Sequence, residues 1–200
     1  MRIPTLTEAN RILEEAEKRN PGPWGDHSRT VALCAGKIAE NCGDMDVEAA
    51  CILGLLHDIG RRFGIGHFRH IADGYHYMKE LGYEDAARIC ITHSYQYQNI
   101  NAYSGNLDVT EEEYKEIEDQ LDAYTYHDYD RLIQLCDCLA KDRKVMLIEQ
   151  RLVDVVLRYG FTQYTTQKWK AIFDLKKYFE EKMSKNLYEA VSDDQSLWGK

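Results

Sequence analysis

Apolar residues recur three and four positions apart along most of the chain, and the strict alternation typical of half-buried strands is scarce. The three prolines lie at positions 4, 21 and 23, so no proline interrupts a helix beyond residue 23. These patterns predict an all-α fold of about nine helices. The predicted helices span residues 7–18, 27–41, 47–58, 68–81, 84–92, 110–124, 130–141, 144–159 and 165–188. Thr7 and Asp26 are the expected N-caps of the first two helices.

The domain organisation follows from chain length and from one polar stretch. Residues 94–109 are rich in amide and hydroxyl side chains and are predicted to form a long polar loop. A chain of 200 residues is expected to form a single domain. We expect a core over about residues 25–143, C-terminal helices over residues 144–189 that pack on it, and a frayed tail over residues 190–200.

Charge and composition limit the partners of this chain. The net charge is −9, with 44% hydrophobic and 30% charged residues, which argues against a nucleic-acid polymer or an anionic membrane as partner. Ten acidic residues between Asp108 and Asp130 predict a solvated acidic face, so a small ligand is favoured. The N-terminus resembles no signal peptide and no run is apolar enough to span a bilayer, so a cytoplasmic location is predicted. A homodimer is left open.

A His-Asp doublet is the most informative chemical feature. His57 and Asp58 end an apolar helical run, and burying both costs several kcal/mol unless a partner such as a divalent metal binds them. His27 shares its predicted helical face with four apolar or small residues, and Asp137 lies inside another apolar run. Each residue alone could be a hydrogen-bonded or salt-bridged core group. Together, four buried titratable residues on three core helices favour a metal site.

Further histidines could hold a second ion. His70 precedes the sequence IADG, and His93 ends an apolar run with Ile89 on the same helical face, so both are expected to face inward. His67 lies three residues before His70 on a similar face, so it is an alternative ligand to His70. The six cysteines include no Cys-x-x-Cys pair, so we expect most of them to be small core residues rather than zinc ligands.

At these positions the chain resembles the HD-domain superfamily of metal-dependent phosphohydrolases. The resemblance rests on the ordered set His27, His57-Asp58 and Asp137, within the sequences LLHDIG (55–60) and CDCLAKDR (136–143). It implies an all-helical HD-domain bundle that hydrolyses phosphate esters. His70 and His93 resemble the added ligands of two-metal members, such as bacterial diadenosine-tetraphosphate hydrolases and, more loosely, HD-GYP phosphodiesterases.

Departures from known subfamilies also matter. HD-GYP enzymes carry two adjacent histidines where this chain has His93-Ser94, and the Gly-Tyr-Pro signature is absent. Single-metal deoxynucleotidases and guanosine-tetraphosphate hydrolases carry acidic residues just after the doublet, whereas residues 59–64 here contain none. The resemblance therefore favours a two-metal site, which Fe, Mn, Co, Ni or Zn could occupy.

The same resemblance implies a mechanism. A hydroxide bridging two divalent ions would attack phosphorus, with Asp58 as the bridging carboxylate. We expect this set of metal ligands: His27, His57, Asp58, His70, His93 and Asp137. Arg61 and Lys141 are predicted to act on the phosphate in catalysis. Further candidates for substrate contacts are Arg62, Arg143, Trp24 and Tyr95, the last two by stacking on a base.

The expected substrate is a nucleotide, a dinucleotide or another small phosphate ester. Two other classes of function stay open from the sequence. One is a non-catalytic HD module that senses a nucleotide or a metal, and a weaker one is a di-iron oxygenase.

Overall fold

The structure is a computed structural model that describes residues 1–194. The predicted all-α class is confirmed, since two-residue strands form the only sheet in these residues. Ten α-helices are described: α1 Leu6–Arg19, α2 Trp24–Cys42, α3 Val47–Leu56, α4 Arg69–Glu80, α5 Glu84–Thr92, α6 Glu111–Ala123, α7 Asp128–Asp137, α8 Ile148–Tyr159, α9 Thr165–Met183 and α10 Leu187–Val191. Two short 3₁₀ helices span Ile59–Phe63 and Ile100–Ala102, and the hairpin strands are β1 Ala140–Lys141 and β2 Lys144–Val145.

Helix α3 is the centre of the bundle. Asp46 caps it by accepting a hydrogen bond from the Ala49 amide at 2.9 Å. Seven of its ten residues are buried, because α1, α2, α5 and α7 pack around it. Gly54 allows a close approach to α2, since a Cβ there would lie 2.6 Å from Cα of Ala32 on that helix. The last turn of α3 therefore delivers His57 and Asp58 into the interior.

The two predicted N-caps are wrong by two or more residues. Thr5, not Thr7, caps α1, and its hydroxyl accepts from the Glu8 amide at 3.3 Å. Helix α2 already begins at Trp24, because its first turn follows directly from the Pro-Gly-Pro segment. Asp26 consequently lies within the first turn, where a negative charge favours the helix N-terminus.

The segment after Asp137 also differs from the prediction, which placed one helix over residues 130–141 and the next over residues 144–159. An antiparallel hairpin pairs Ala140 with Val145 and Lys141 with Lys144. Asp142 adopts a left-handed conformation in its turn, which aspartate tolerates better than most residues. Helix α7 therefore ends at Asp137, so that residue lies at a helix end rather than in mid-helix.

The C-terminal region contains two helices where one was predicted over 165–188. Ser184 adopts a left-handed conformation that ends α9, and Asn186 caps the short α10. Helix α9 packs on α2 and α7, and α10 packs on α2 and α9. The predicted frayed tail begins in α10, and its residues 195–200 lie outside the described part of the chain.

The predicted polar loop over 94–109 is partly buried. It contains the 3₁₀ helix Ile100–Ala102, and both Ile100 and Ala102 are buried against the core. Within residues 1–194, no helix combines the length and apolar character that crossing a bilayer requires.

Candidate metal centre

The six residues predicted as metal ligands converge at one end of the α3 core. Each lies at or beside the end of a helix: His27 in the first turn of α2, His57 and Asp58 just after α3, His70 in the first turn of α4, His93 just after α5, and Asp137 at the end of α7. Five of them line a single cavity, and His57 is completely buried behind it. Helix ends leave the side chains free to turn toward one centre.

The ligand atoms form two groups that share one carboxylate. In the first group are His27, His57 and Asp58, and in the second are Asp58, His70 and His93. Within each group the candidate ligand atoms all lie within 4.8 Å of one another. Asp58 Oδ1 lies 3.2 Å from Nε2 of His70 and 3.6 Å from Nε2 of His93. The geometry thus brings imidazoles to both sides of Asp58.

Asp137 adjoins the first group. Its Oδ1 lies 2.9 Å from Nε2 of His27 and 3.8 Å from Nε2 of His57. The structure therefore brings all six predicted ligands together. Of the two alternatives at the start of α4, His70 joins the second group and His67 does not. The His67 ring instead packs edge-on against Tyr159.

Three of the histidines are oriented by backbone carbonyls. In each, Nδ1–H donates to a carbonyl oxygen, so Nε2 keeps its lone pair and faces the centre. The acceptors of His57, His70 and His93 are the carbonyls of Gly54 at 2.8 Å, His67, and Ile89 at 3.1 Å. This pattern is the one that metal-binding histidines use to fix the ring and its tautomer.

One atom of the centre lacks a partner. Nε2 of His57 is buried and accepts no hydrogen bond from any residue in the described part of the chain. An unsatisfied buried polar atom costs about 1–3 kcal/mol. A divalent cation at this position would satisfy it, and a set of imidazoles and carboxylates suits first-row transition metals. The residues present therefore fit a metal centre.

The electrostatics of the centre keep His57 and His70 neutral and its two carboxylates charged. Burial lowers the pKa of His57 to about 4 and that of His70 to about 3. Burial alone would raise the pKa of Asp58, but Arg61 and the surrounding histidines hold it well below its usual range. Burial would likewise raise the pKa of Asp137. The hydrogen bond from His27 and the nearby positive groups outweigh this effect, so the pKa of this carboxyl is also lowered. Neutral imidazoles and ionised carboxylates are the protonation states that bind metals.

Both predicted catalytic cations, Arg61 and Lys141, line the cavity. Arg61 lies in the 3₁₀ helix after the doublet, and its Nε donates to Oδ2 of Asp58. Lys141 on β1 lines the cavity further out, where its Nζ lies 3.3 Å from Asp154. Trp24 lines the same cavity, although only 8% of it is exposed and its indole N–H donates to the Asn20 carbonyl at 2.8 Å.

Three predicted substrate contacts are corrected by the structure. The Arg62 guanidinium is buried against the ring of Tyr77, 3.8 Å from its centroid, and points away from the cavity lining. Arg143 lies outside the lining, on the surface, and donates to Asp26 at 2.8 Å. Tyr95 is 0% exposed in the core, so its ring is not available to stack on a base.

Several cavity residues were missed by sequence reasoning. They come from α8, α9 and the loop before α6: Arg151, Arg158, Lys168, Trp169 and Ser104. No local signal marks them, because α8 and α9 have ordinary amphipathic patterns and only the tertiary fold brings them over the centre. With these walls the cavity has a volume of about 620 Å³, which is within the range of small-molecule sites.

Comparison with known proteins agrees with this geometry. A family model for the HD domain matches residues 24–155, a stretch that contains all six candidate ligands. No curated protein and no solved structure matches the chain. The match covers more than half of the 200 residues and ends within α8. The chain therefore belongs to the HD-domain family.

Proposed function

We propose that this protein is a metal-dependent phosphohydrolase that cleaves a small phosphate ester, such as a nucleotide or a dinucleotide. The HD domain is a family of metal-dependent phosphohydrolases. The observation that carries the proposal is the shared carboxylate of Asp58, which joins two donor groups at the base of a cavity. A degenerate, non-catalytic module would be expected to lack part of this set.

The donor groups define where metal would be held. His27, His57, Asp58 and Asp137 would hold one ion, and Asp58, His70 and His93 would hold a second. When bound, a divalent ion supplies Lewis-acid chemistry, which lowers the pKa of water toward about 7 and offsets charge on a phosphoryl group.

The remaining residues of the site orient substrate. Arg61 is fixed by Asp58 and lies at the cavity wall, so its other guanidinium nitrogens can donate to a phosphate oxygen beside the centre. Lys141 lies further out, where it can contact a second anionic group. The buried ring of Trp24 and the ring of Trp169 provide apolar wall, and a cavity of about 620 Å³ suits a small organic phosphate.

The test is turnover by purified protein loaded with Mn²⁺, Fe²⁺, Co²⁺, Ni²⁺ or Zn²⁺ and offered phosphomonoesters, nucleotides and dinucleotides. We expect release of phosphate or a nucleotide from at least one substrate. The double variant His57→Ala with Asp58→Ala should reduce this turnover to background. His76→Ala is the matched control, because His76 is 44% exposed and pairs with Glu116 outside the cavity.

Two results would contradict the proposal. Turnover that survives in the double variant would place the chemistry elsewhere. Tight nucleotide binding without any product after long incubation would instead support the sensor function.

A further inference from the structure

Part of the cavity wall is built by residues outside the match to the HD domain. Helix α9 begins at Thr165, ten residues beyond the end of that match at 155. Lys168 lies in its first turn and lines the cavity. Its Nζ donates to the Ser104 hydroxyl at 3.0 Å, which joins α9 to the loop before α6. The side chain is half-buried, so its amine is directed inward rather than to bulk solvent.

Lys168 differs from the other cations of the cavity in its charge balance. Arg61 pairs with Asp58, and the three remaining cations of the lining, Lys141, Arg151 and Arg158, all pair with Asp154. Within residues 1–194, by contrast, no carboxylate lies within 4.0 Å of Lys168 Nζ, which has only a neutral hydroxyl as partner. A half-buried ammonium without a counter-ion is costly unless an anion binds it.

The position of Lys168 relative to the metal centre indicates which kind of anion would bind its amine. Asp137 and Cys138, at the end of α7, line the same cavity as Lys168. Asp137 is itself a member of the candidate centre. An anionic group beside the centre would therefore have both Arg61 and Lys168 within the cavity lining to bind it.

We propose that Lys168 binds the phosphate group of the substrate and positions it against the metal centre. The inference rests on the proposed function, because it assigns a substrate-positioning role in the same cavity. Helix α9 would then be part of the site, although the HD-domain match ends before this helix begins. It also predicts that the cavity selects phosphorylated over neutral ligands, since an ammonium discriminates by charge.

A purely structural role for Lys168 would produce different results. In that case the lysine would serve only to hold the loop through Ser104, and removing the hydroxyl would be as harmful as removing the charge. Lys168→Gln separates the two roles, because glutamine keeps a donor for Ser104 and loses the charge. Lys168→Arg restores the charge, and Ser104→Ala removes the contact while keeping the lysine.

The experiment is calorimetric titration of the metal-loaded protein with inorganic phosphate, together with kcat and KM for any phosphomonoester that is turned over. We expect the phosphate Kd of Lys168→Gln to rise about 10- to 100-fold, the range for loss of a charge-assisted hydrogen bond. Lys168→Arg should recover most of the lost affinity, and Ser104→Ala should raise the phosphate Kd much less than Lys168→Gln does. Lys177→Gln is the matched control on α9, since its side chain is 75% exposed and pairs with Glu181. If Lys168→Gln melts early, Lys168→Met provides the same test of charge in a folded protein.

The outcomes separate this inference from the proposed function. Wild-type turnover with an unchanged phosphate Kd and KM in Lys168→Gln overturns the role of Lys168 and leaves the hydrolase standing. A raised phosphate Kd in Lys168→Gln, in a protein that hydrolyses nothing, supports an anion site at Lys168 and contradicts the hydrolase. Equal losses in Ser104→Ala and Lys168→Gln would show that the loop contact matters and would overturn the inference.

Discussion

Oδ1 of Asp58 lies 3.2 Å from Nε2 of His70, although the two residues belong to different helical elements. The contact depends on how closely the 3₁₀ helix after the doublet approaches α4. A Cβ placed on Gly60 would lie only 2.0 Å from the carbonyl oxygen of His70 and 2.5 Å from the amide nitrogen of Gly74. The backbone of Gly60 thus sets the distance between the two ligands.

Gly60→Ala should therefore damage both the fold and the centre. Backbone atoms cannot move aside for the new methyl group, so we expect a loss of about 3 kcal/mol or more in the free energy of unfolding. Denaturant unfolding and metal analysis would measure the two effects. Gly36→Ala is the control, because its Cβ would lie 2.6 Å from the Cys51 side chain, which can rotate, and at an ordinary contact distance of 3.8 Å from the Val47 side chain. Equal stability of Gly60→Ala and wild type would contradict the packing described here.

Asp58→Asn should remove more metal than the loss of any single histidine. Asp58 belongs to both donor groups, whereas His93 belongs only to the second. We expect Asp58→Asn to lower metal affinity more than about 100-fold, above the 10- to 100-fold typical of losing an outer hydrogen-bond partner. His93→Ala should lose about half of the bound metal. Elemental analysis after dialysis gives both values, and identical metal content in the two variants would argue against a shared carboxylate.

The buried pair Arg88–Asp130 is expected to hold the two ligand-bearing helices together. Asp130 on α7 is 0% exposed and accepts from Nε and Nη2 of Arg88 on α5, at 2.9 and 2.6 Å. Arg88→Met leaves a buried carboxylate uncompensated and should cost about 3–5 kcal/mol. Arg131→Met breaks the half-exposed pair with Asp128 and should cost less than about 1 kcal/mol. Chemical denaturation compares them, and similar losses would contradict the role of the buried pair.

The metal-free protein should become unstable in mild acid. His57 and His70 have ordinary pKa values of 6.5 and folded values of about 4 and about 3. The unfolded chain therefore binds more protons below pH 6.5, so stability falls as the pH drops from 6.5 toward 3. The lowered pKa values of Asp58 and Asp137 add to the loss below about pH 3.8.

Urea unfolding in the presence of a chelator, at pH values from 7 to 5, measures this effect. His57→Gln with His70→Gln should flatten the slope, whereas His76→Gln should leave it unchanged, because His76 is 44% exposed. A wild-type free energy of unfolding that is constant between pH 7 and pH 5 would contradict the burial of neutral histidines.

Much of the metal centre was predictable because its ligands carry a local signal. A titratable group such as Asp58 or Asp137 inside an apolar run is costly to bury alone, so the cost itself indicates a partner. The helices were predictable from the spacing of apolar residues, and α5 has the predicted bounds of 84 and 92. The acidic stretch shows where this reasoning fails. Asp130 was placed on a solvated face by its neighbours, yet Arg88 and Thr92 from α5 bury it completely.

The substrate side of the cavity was less predictable, because tertiary contacts decide which side chains reach it. Tyr95 and Arg62 are near the ligands in sequence, but the core and the Tyr77 ring take their side chains away from the cavity. Lys168 is far from the ligands in sequence, and only the packing of α9 on α2 and α7 brings it to the centre. Contacts between distant segments leave no mark in local pattern, so they emerge only from the folded structure.

The proposed function requires that the histidines and carboxylates around Asp58 hold metal. The most direct measurement is anomalous diffraction from crystals of the cobalt-loaded protein, collected on both sides of the cobalt absorption edge. We expect anomalous density in contact with Asp58 and with Nε2 of His57 and His70. Ordered imidazoles without anomalous density between them, in crystals whose protein retains cobalt, would contradict it.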